Sequence, residues 1–463
     1  MKLTAPKLAL SVLTVLVFAC SPVATTNTVS RNVSASFSLP PMKTPPGRAA
    51  APTNRSNASI AAEFITLAFQ LESGRQLPVL TRFEGPITLR VTGASSGPTT
   101  NRDLDHLITR LRQEARIPIT RVSADQSASI TVHFLSRAKL RRSVPQAACF
   151  VAPGVESWAE FSTRRNAKGR NWADLTTRTK MAIFLPNDVS PQEVRDCLHE
   201  EIAQALGPVN DLYHLTDSIF NDDNFHTVLT GFDMLILRAY YDDNLHSGMT
   251  RDAVVARLPA ILRRINPKGR STGVGVRATT SPNWTREIET ALGARGAGTA
   301  QLAAAKRAVA IARSQGWNDN RLGFSLYALG RLALGQKSSL ALNSFAEADA
   351  IFRANPSTRL HAAHVAVQSA AFALSAGRPQ AAIKITDDNS AVALRAENAS
   401  LLSTLLMIKA AALEAAGRSD QAKIVRLDSL GWARYGQATT GEIRDRLNEI
   451  SSLAPRQERT STP

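Results

Sequence analysis

The sequence predicts an α+β domain followed by an all-α domain, and three observations carry that expectation. Strand-like alternation and helix-like periodicity take turns between residues 58 and 267. Strand signals then vanish, and alanine-rich helical patterns run to about residue 455. Within that second region, helices end at glycines spaced 42 and 40 residues apart.

The chain opens with a targeting segment over residues 1–19. Lys2 and Lys7 form a positive region, and Leu8 to Phe18 is an apolar run too short for a comfortable bilayer span. It ends Val17-Phe18-Ala19-Cys20. A small residue before cysteine resembles a bacterial lipobox, in which Cys20 would carry the lipid; an ordinary secretory peptide cleaved nearby is the other reading. Ser21 follows Cys20, which by resemblance to lipoprotein sorting signals directs the protein to the outer membrane, facing the periplasm. Residues 20–57 are rich in Ser, Thr, Pro, Asn and Ala and read as a disordered tether.

The first domain, 58–267, has its elements in a readable order. Ile87 to Val91 alternates like a half-buried strand, and Leu104, Leu107, Ile108 and Leu111 mark a helix over 101–115. Ile130 to Phe134 and Lys180 to Leu185 are further strands. Ser190-Pro191-Gln192-Glu193 predicts a capped helix start with a capping box, and Gly207-Pro208 predicts its end. Thr230 to Asp233 is a second capping box, and a last helix runs from Thr250 to about Ile265. Residues 268–285 read as a linker, 286–455 as the helical domain and 456–463 as a polar tail. Leu332 to Gly335, Leu374 to Gly377 and Glu414 to Gly417 each end a helix before a second one, a pattern similar to tetratricopeptide-like hairpin stacks. An alanine-rich helical bundle is the alternative.

With 463 residues, 44% hydrophobic and 20% charged, the chain is globular in composition. Its net charge of +17 is scattered; no dense basic block interleaves with aromatics, so nucleic acid is not an expected partner. Of three cysteines, Cys20 is assigned to lipid, leaving Cys149 and Cys197. In an exported protein this pair is expected to bridge, closing a loop worth about 3–4 kcal/mol; two buried thiols are the alternative.

The run from Glu200 to Asp211 has the spacing of the zinc-protease motif HExxHxxGxxH without its histidines. Glu200, Gln204 and Asn210 stand at the three ligand positions, while Glu201 and Gly207 keep the base and turn positions. Ala205-Leu206-Gly207, Asp211, and Ser218-Ile219-Phe220 resemble the corresponding segments of matrixin-like metzincins, with Phe220 where their turn has methionine. The run Asp196 to Gly207, with Asn210-Asp211 and Ser218 to Asp222, also resembles a family of proteobacterial lipoproteins defined only as a domain of unknown function, over roughly residues 78–265. These resemblances imply a metzincin-like mixed sheet with a long motif helix.

Zinc is not expected, because it favours nitrogen and sulfur and these positions offer oxygen; no other cofactor is expected either. His199-Glu200 fails as an alternative register, since Ala203 occupies the second histidine position, and His214, His226 and His246 lack ligand spacing. GxSxG, P-loop and dinucleotide fingerprints are absent. The expectation is a lipid-anchored envelope protein, non-catalytic, binding protein or peptide, with the helical repeats as the partner surface. A peptidase with an unusual metal or ligand set is the alternative.

Overall fold

The structure, a computed structural model, describes residues 39–94, 97–145, 147–163, 171–269, 279–293, 298–335, 337–437 and 439–455. Cys20, the signal segment and the tail lie outside them. None of the described helices is long and apolar enough to cross a membrane.

The first domain begins with α1 (Asn57–Phe69), then β1 (Ile87–Thr92), α2 (Pro98–Gln113), β2 (Ile119–Arg121) and β3 (Ile130–Leu135). It continues with α3 (Arg137–Ser143), β4 (Phe150–Pro153), α4 (Trp158–Thr163), β5 (Met181–Pro186), α5 (Pro191–Leu206), α6 (Gly231–Tyr240) and α7 (Arg251–Ile265). The five strands form one sheet in the order β2-β1-β3-β5-β4, parallel except for the antiparallel edge strand β4. All six residues of β5 are buried, as expected of a near-continuous apolar run inside a mostly parallel sheet. The main core joins one sheet face to α1, α2, α5, α6 and α7 through residues such as Phe64, Leu107, Ile183, Leu198, Ile202 and Phe232. A smaller aromatic cluster of Phe150, Trp158, Phe161 and Phe184 covers the other face beside β4.

The all-α region comprises α8 (Pro282–Leu292), α9 (Gly298–Ser314), α10 (Asn320–Ala333), α11 (Ser338–Arg353), α12 (Arg359–Ser375), α13 (Pro379–Arg395), α14 (Ala399–Ala415), α15 (Ser419–Gly436) and α16 (Thr440–Leu453). Consecutive helices from α8 to α15 pack on one another. Small residues make this possible: a methyl group on Gly323 or Gly330 would press into the rings of Phe352 or Phe345. Gly377 and Gly417 adopt left-handed φ of 67° and 74° and close their helices with the same pair of backbone bonds.

Three expectations change. Residues 39–56 are an ordered strap rather than part of a tether. Lys43 N donates to Gly431 O (2.9 Å), Arg48 N to Glu397 Oε1 (2.8 Å), Ala50 N to Glu114 Oε2 (3.2 Å), and Arg55 Nε to Asp217 Oδ1 (2.9 Å). The strap's backbone polar groups are met by folded partners, which a composition rich in Pro and Ala did not announce. The helical region starts at Pro282, inside the expected linker, because Trp284 buries itself against Trp317 and Tyr213. Ser190 caps α5 by accepting from Glu193 N (3.1 Å), yet Glu193 completes no capping box: its carboxylate turns to Arg137 (3.0 Å). The box at Thr230 and Asp233 forms in full.

The two regions share a buried polar interface. Arg195 Nη2 of α5 donates to Glu397 O (2.6 Å) and Nη1 to Glu397 Oε2 (3.3 Å). Gln192 Nε2 donates to Asn398 Oδ1 (3.1 Å), and Tyr435 OH donates to Asp103 Oδ2 (2.6 Å).

Candidate functional site

Helix α5 presents Glu200, Glu201 and Gln204 to a cleft of about 640 Å³. Three separate stretches build its walls: Leu71 to Ser73 after α1, Val144 with Ala147 to Val151 running into β4, and residues between Val209 and Asn224 after the motif helix. The floor is fixed from several directions. A disulfide joins Cys197 of α5 to Cys149 at the start of β4, a sequence separation of 48 residues, so the expected bridge is present. Arg178, 3% exposed, caps the C-terminus of α5: its Nη1 donates to Ala205 O (2.8 Å) and its Nη2 to Gly207 O (2.5 Å). A cation at that end also complements the helix dipole. Gly207 has φ −167°, ordinary extended backbone; glycine is needed there because a Cβ would lie 2.9 Å from the Tyr240 ring.

The turn Ser218-Ile219-Phe220 is tied to the start of α6. Ser218 Oγ (2.5 Å) and Ile219 N (3.1 Å) both donate to Asp233, the acid that also completes the α6 cap. Phe220 is fully buried, and its carbonyl accepts from Leu212 N (3.0 Å).

The three ligand positions do not converge. Glu200 and Gln204 line the cleft, but Asn210 is buried away from it and its Nδ2 donates to Thr66 O (3.2 Å). Asp211 takes the place on the wall, bonded by Gln204 Nε2 (3.3 Å). Glu72 and Asp222 complete a set of five carboxylates with Glu200, Glu201 and Asp211. No Lys, Arg or His is among the described residues that line this cleft.

Burial and mutual repulsion disfavour the charged forms. Glu200 is pushed up to about 7 by burial, then by Asp222 and Glu72. Asp222 is also pushed up to about 7, by burial and then by Glu72, Glu289 and Asp223, against a hydrogen bond from Tyr213. Burial holds Glu201 well above the usual carboxylate range, with Glu200 and Glu72 adding to it. Asp211 rises for the same first reason, with Asp222, Glu200 and Glu72 adding to it.

The histidines are structural. His199 is buried and accepts from Leu229 N at Nδ1 (3.1 Å); burial, then Arg110 and Arg195, holds it well below its ordinary value. His214 pairs with Glu63 (2.8 Å), His226 with Thr216 O (3.0 Å) and His246 with Ser247 O (2.9 Å), all away from the cleft. The only three-residue grouping of potential ligand atoms among the described residues is Cys149, Glu200 and Glu201, and its sulfur is spent in the disulfide.

The helical region positions part of this site. Tyr213 stacks edge-on against Trp284 (5.0 Å), and Phe225 packs on Phe324 (5.8 Å) and His361 (4.6 Å). Asp223 holds His361 Nε2 at 3.0 Å. The segment carrying Asp211 and Asp222 is thus pinned at both ends in the second hydrophobic core. Glu72 and Asp211 carry no sequence expectation at the site, while Asp222-Asp223 suggests a calcium loop but lacks its spaced acidic pattern and reads from sequence as a capped turn. The only other sequence signal was an acidic residue beside each of two motif positions, and closure of three distant loops has no local signature.

Residues 57–260 match the family described as protein of unknown function (DUF2927). The match takes in α1 and the whole sheet and stops within α7. It agrees with the resemblance to a family without an assigned activity and begins earlier than the motif run implied. No curated protein matches the chain.

Proposed function

We propose that this chain is an envelope lipoprotein that acts by binding protein or peptide. In this reading its first domain is a degenerate metzincin-like domain that does not hydrolyse, and its helical region is a tetratricopeptide-like array. The observation that carries the reading is the fate of the ligand positions: Asn210 is committed to Thr66 O, and only oxygen donors face the cleft. Catalytic zinc sites use three protein ligands rich in histidine, and the described residues of the cleft walls supply no imidazole or thiolate. Glu201 keeps the base position, but without a zinc ligand set beside it there is no metal-activated water for it to deprotonate.

Peptide binding draws support from β4. It is the edge strand of the sheet, and its Phe150 and Val151 line the cleft. A sheet edge beside a cleft is the geometry by which an extended segment is added as a further strand.

The test combines zinc analysis of the purified chain with peptide digestion by wild type and Glu201→Gln. We expect no stoichiometric zinc and no cleavage that distinguishes the two proteins. Tightly held zinc, or a peptidase activity lost in the variant, would establish the opposite reading, an active peptidase with a rearranged ligand set.

A further inference from the structure

We propose that the cleft is a binding site for one hard divalent cation, calcium by size and ligand type, held directly by Glu200 and Glu201 and through bound water by Asp211 and Asp222, with Glu72 on the same lining.

Two independent observations point there. The first is composition: five carboxylates from three segments face one space, with no basic side chain among the described lining residues. Asp211 accepts from Gln204 Nε2 and Asp222 from Tyr213, but no cation among the described lining residues balances the charge of the five. The second is Glu201 itself. It is 4% exposed, and its Oε2 is buried without a hydrogen-bond partner. A buried polar atom left unmatched costs about 1–3 kcal/mol, and more when the group is charged. An ion in the cleft supplies the missing partner.

The geometry fits. Ligand oxygens of Glu200 and Glu201 lie within 4.8 Å of each other. Two oxygens sharing one calcium at about 2.3–2.6 Å are separated by up to about 5 Å. Calcium takes six to eight oxygens in flexible arrangements, and carboxylates plus water from an open cleft can meet that number. Magnesium demands a tighter octahedron, and zinc would need the nitrogen or sulfur donors that the walls lack. The Cys149 sulfur is excluded by its bond to Cys197.

The proposal does not depend on peptide binding or on the absence of hydrolysis. It also gives the disulfide a role in the site, since the bridge fixes β4 beside the helix that carries Glu200 and Glu201.

The test is calorimetric titration of the full chain, stripped with chelator, with calcium, magnesium and zinc in turn, paired with thermal unfolding. Calcium should bind one per chain with a dissociation constant at or below ~1 mM, the range of extracellular calcium modules, and should raise the unfolding temperature. Glu201→Gln, which is isosteric, should weaken binding by ~10-fold or more, since even outer-shell partners of a metal count on that scale. Asp222→Asn provides the same readout if the first variant does not fold. No calcium response in wild type would overturn the proposal. So would equal binding by wild type and both variants, or tight zinc binding with no effect of calcium. None of these outcomes except tight zinc binding bears on the non-hydrolytic reading, which the digestion assay tests separately.

Discussion

Glu200 and Glu201 are neighbours in sequence, and both reach the same cleft, where each raises the cost of ionising the other. The pH dependence of stability follows from the direction of that shift. Glu200 is raised from 4.5 to about 7, so between those values the folded protein holds a proton that the unfolded chain has released. Stability from this source is complete below the unfolded value and is lost as pH rises through about 7. Glu200→Gln removes the titrating group. In chelator, the variant should therefore gain stability relative to wild type as pH rises across that window, read from urea midpoints at several pH values. A parallel pair of curves would contradict the shift. Which residues meet at this point was only partly legible. Glu200, Glu201 and Gln204 were named from spacing, because a helix places them on a known face. Asn210 was named by analogy and turned out to face Thr66. Glu72 had no signal at all, since it lies 128 positions from Glu200 in a turn of ordinary composition.

Among the elements, α5 is the one held from every side. Its Ser190 and Gly207 ends and its apolar face of Val194, Leu198 and Ile202 stand as expected, while the capping box expected from Glu193 does not form. Strands β1, β3 and β5 were legible because each is six residues of β-rich sequence. β2 and β4, at three and four residues, are too short to show a period. α1 was missed because it buries apolar residues on more than one side and shows no clean stripe. The docking of α5 onto the turn between α13 and α14 was equally hidden. Glu397 there has φ 55°, a left-handed conformation that costs a non-glycine residue on the order of 1 kcal/mol. Glycine serves the equivalent position at Gly377 and Gly417. The side chain explains the exception, since it binds Arg195 and the Arg48 amide. Glu397→Ala leaves Arg195, 4% exposed, without its carboxylate, and we expect a loss of about 3 kcal/mol by chemical denaturation. A loss under about 1 kcal/mol would mean that the pair does not hold the two regions together.

At the scale of the molecule, the helical array is packed into the first domain rather than appended to it. One of its faces is occupied by the first domain, and its core anchors Tyr213, two residues after Asp211, and Phe225, three residues after Asp222. The chain's amino-terminal strap crosses both regions, beginning against α15 and ending at α1. Under the lipoprotein reading, Cys20→Ser should move the protein from the membrane fraction to the soluble fraction. Retention of an unlipidated variant in the membrane would refute the anchor. The strap also sets where such an anchor can pull. Pro40 and Lys43 are fastened to Arg434 and Asp428, so force applied from the amino terminus arrives first at α15 and not at the cleft. Nineteen residue steps separate Cys20 from Leu39, a leash of at most ~65 Å even if fully drawn out. If Cys20 carries a lipid, the far end of the helical array becomes the moored side of the protein, with the acidic cleft joined to it by way of the same helices that shape it.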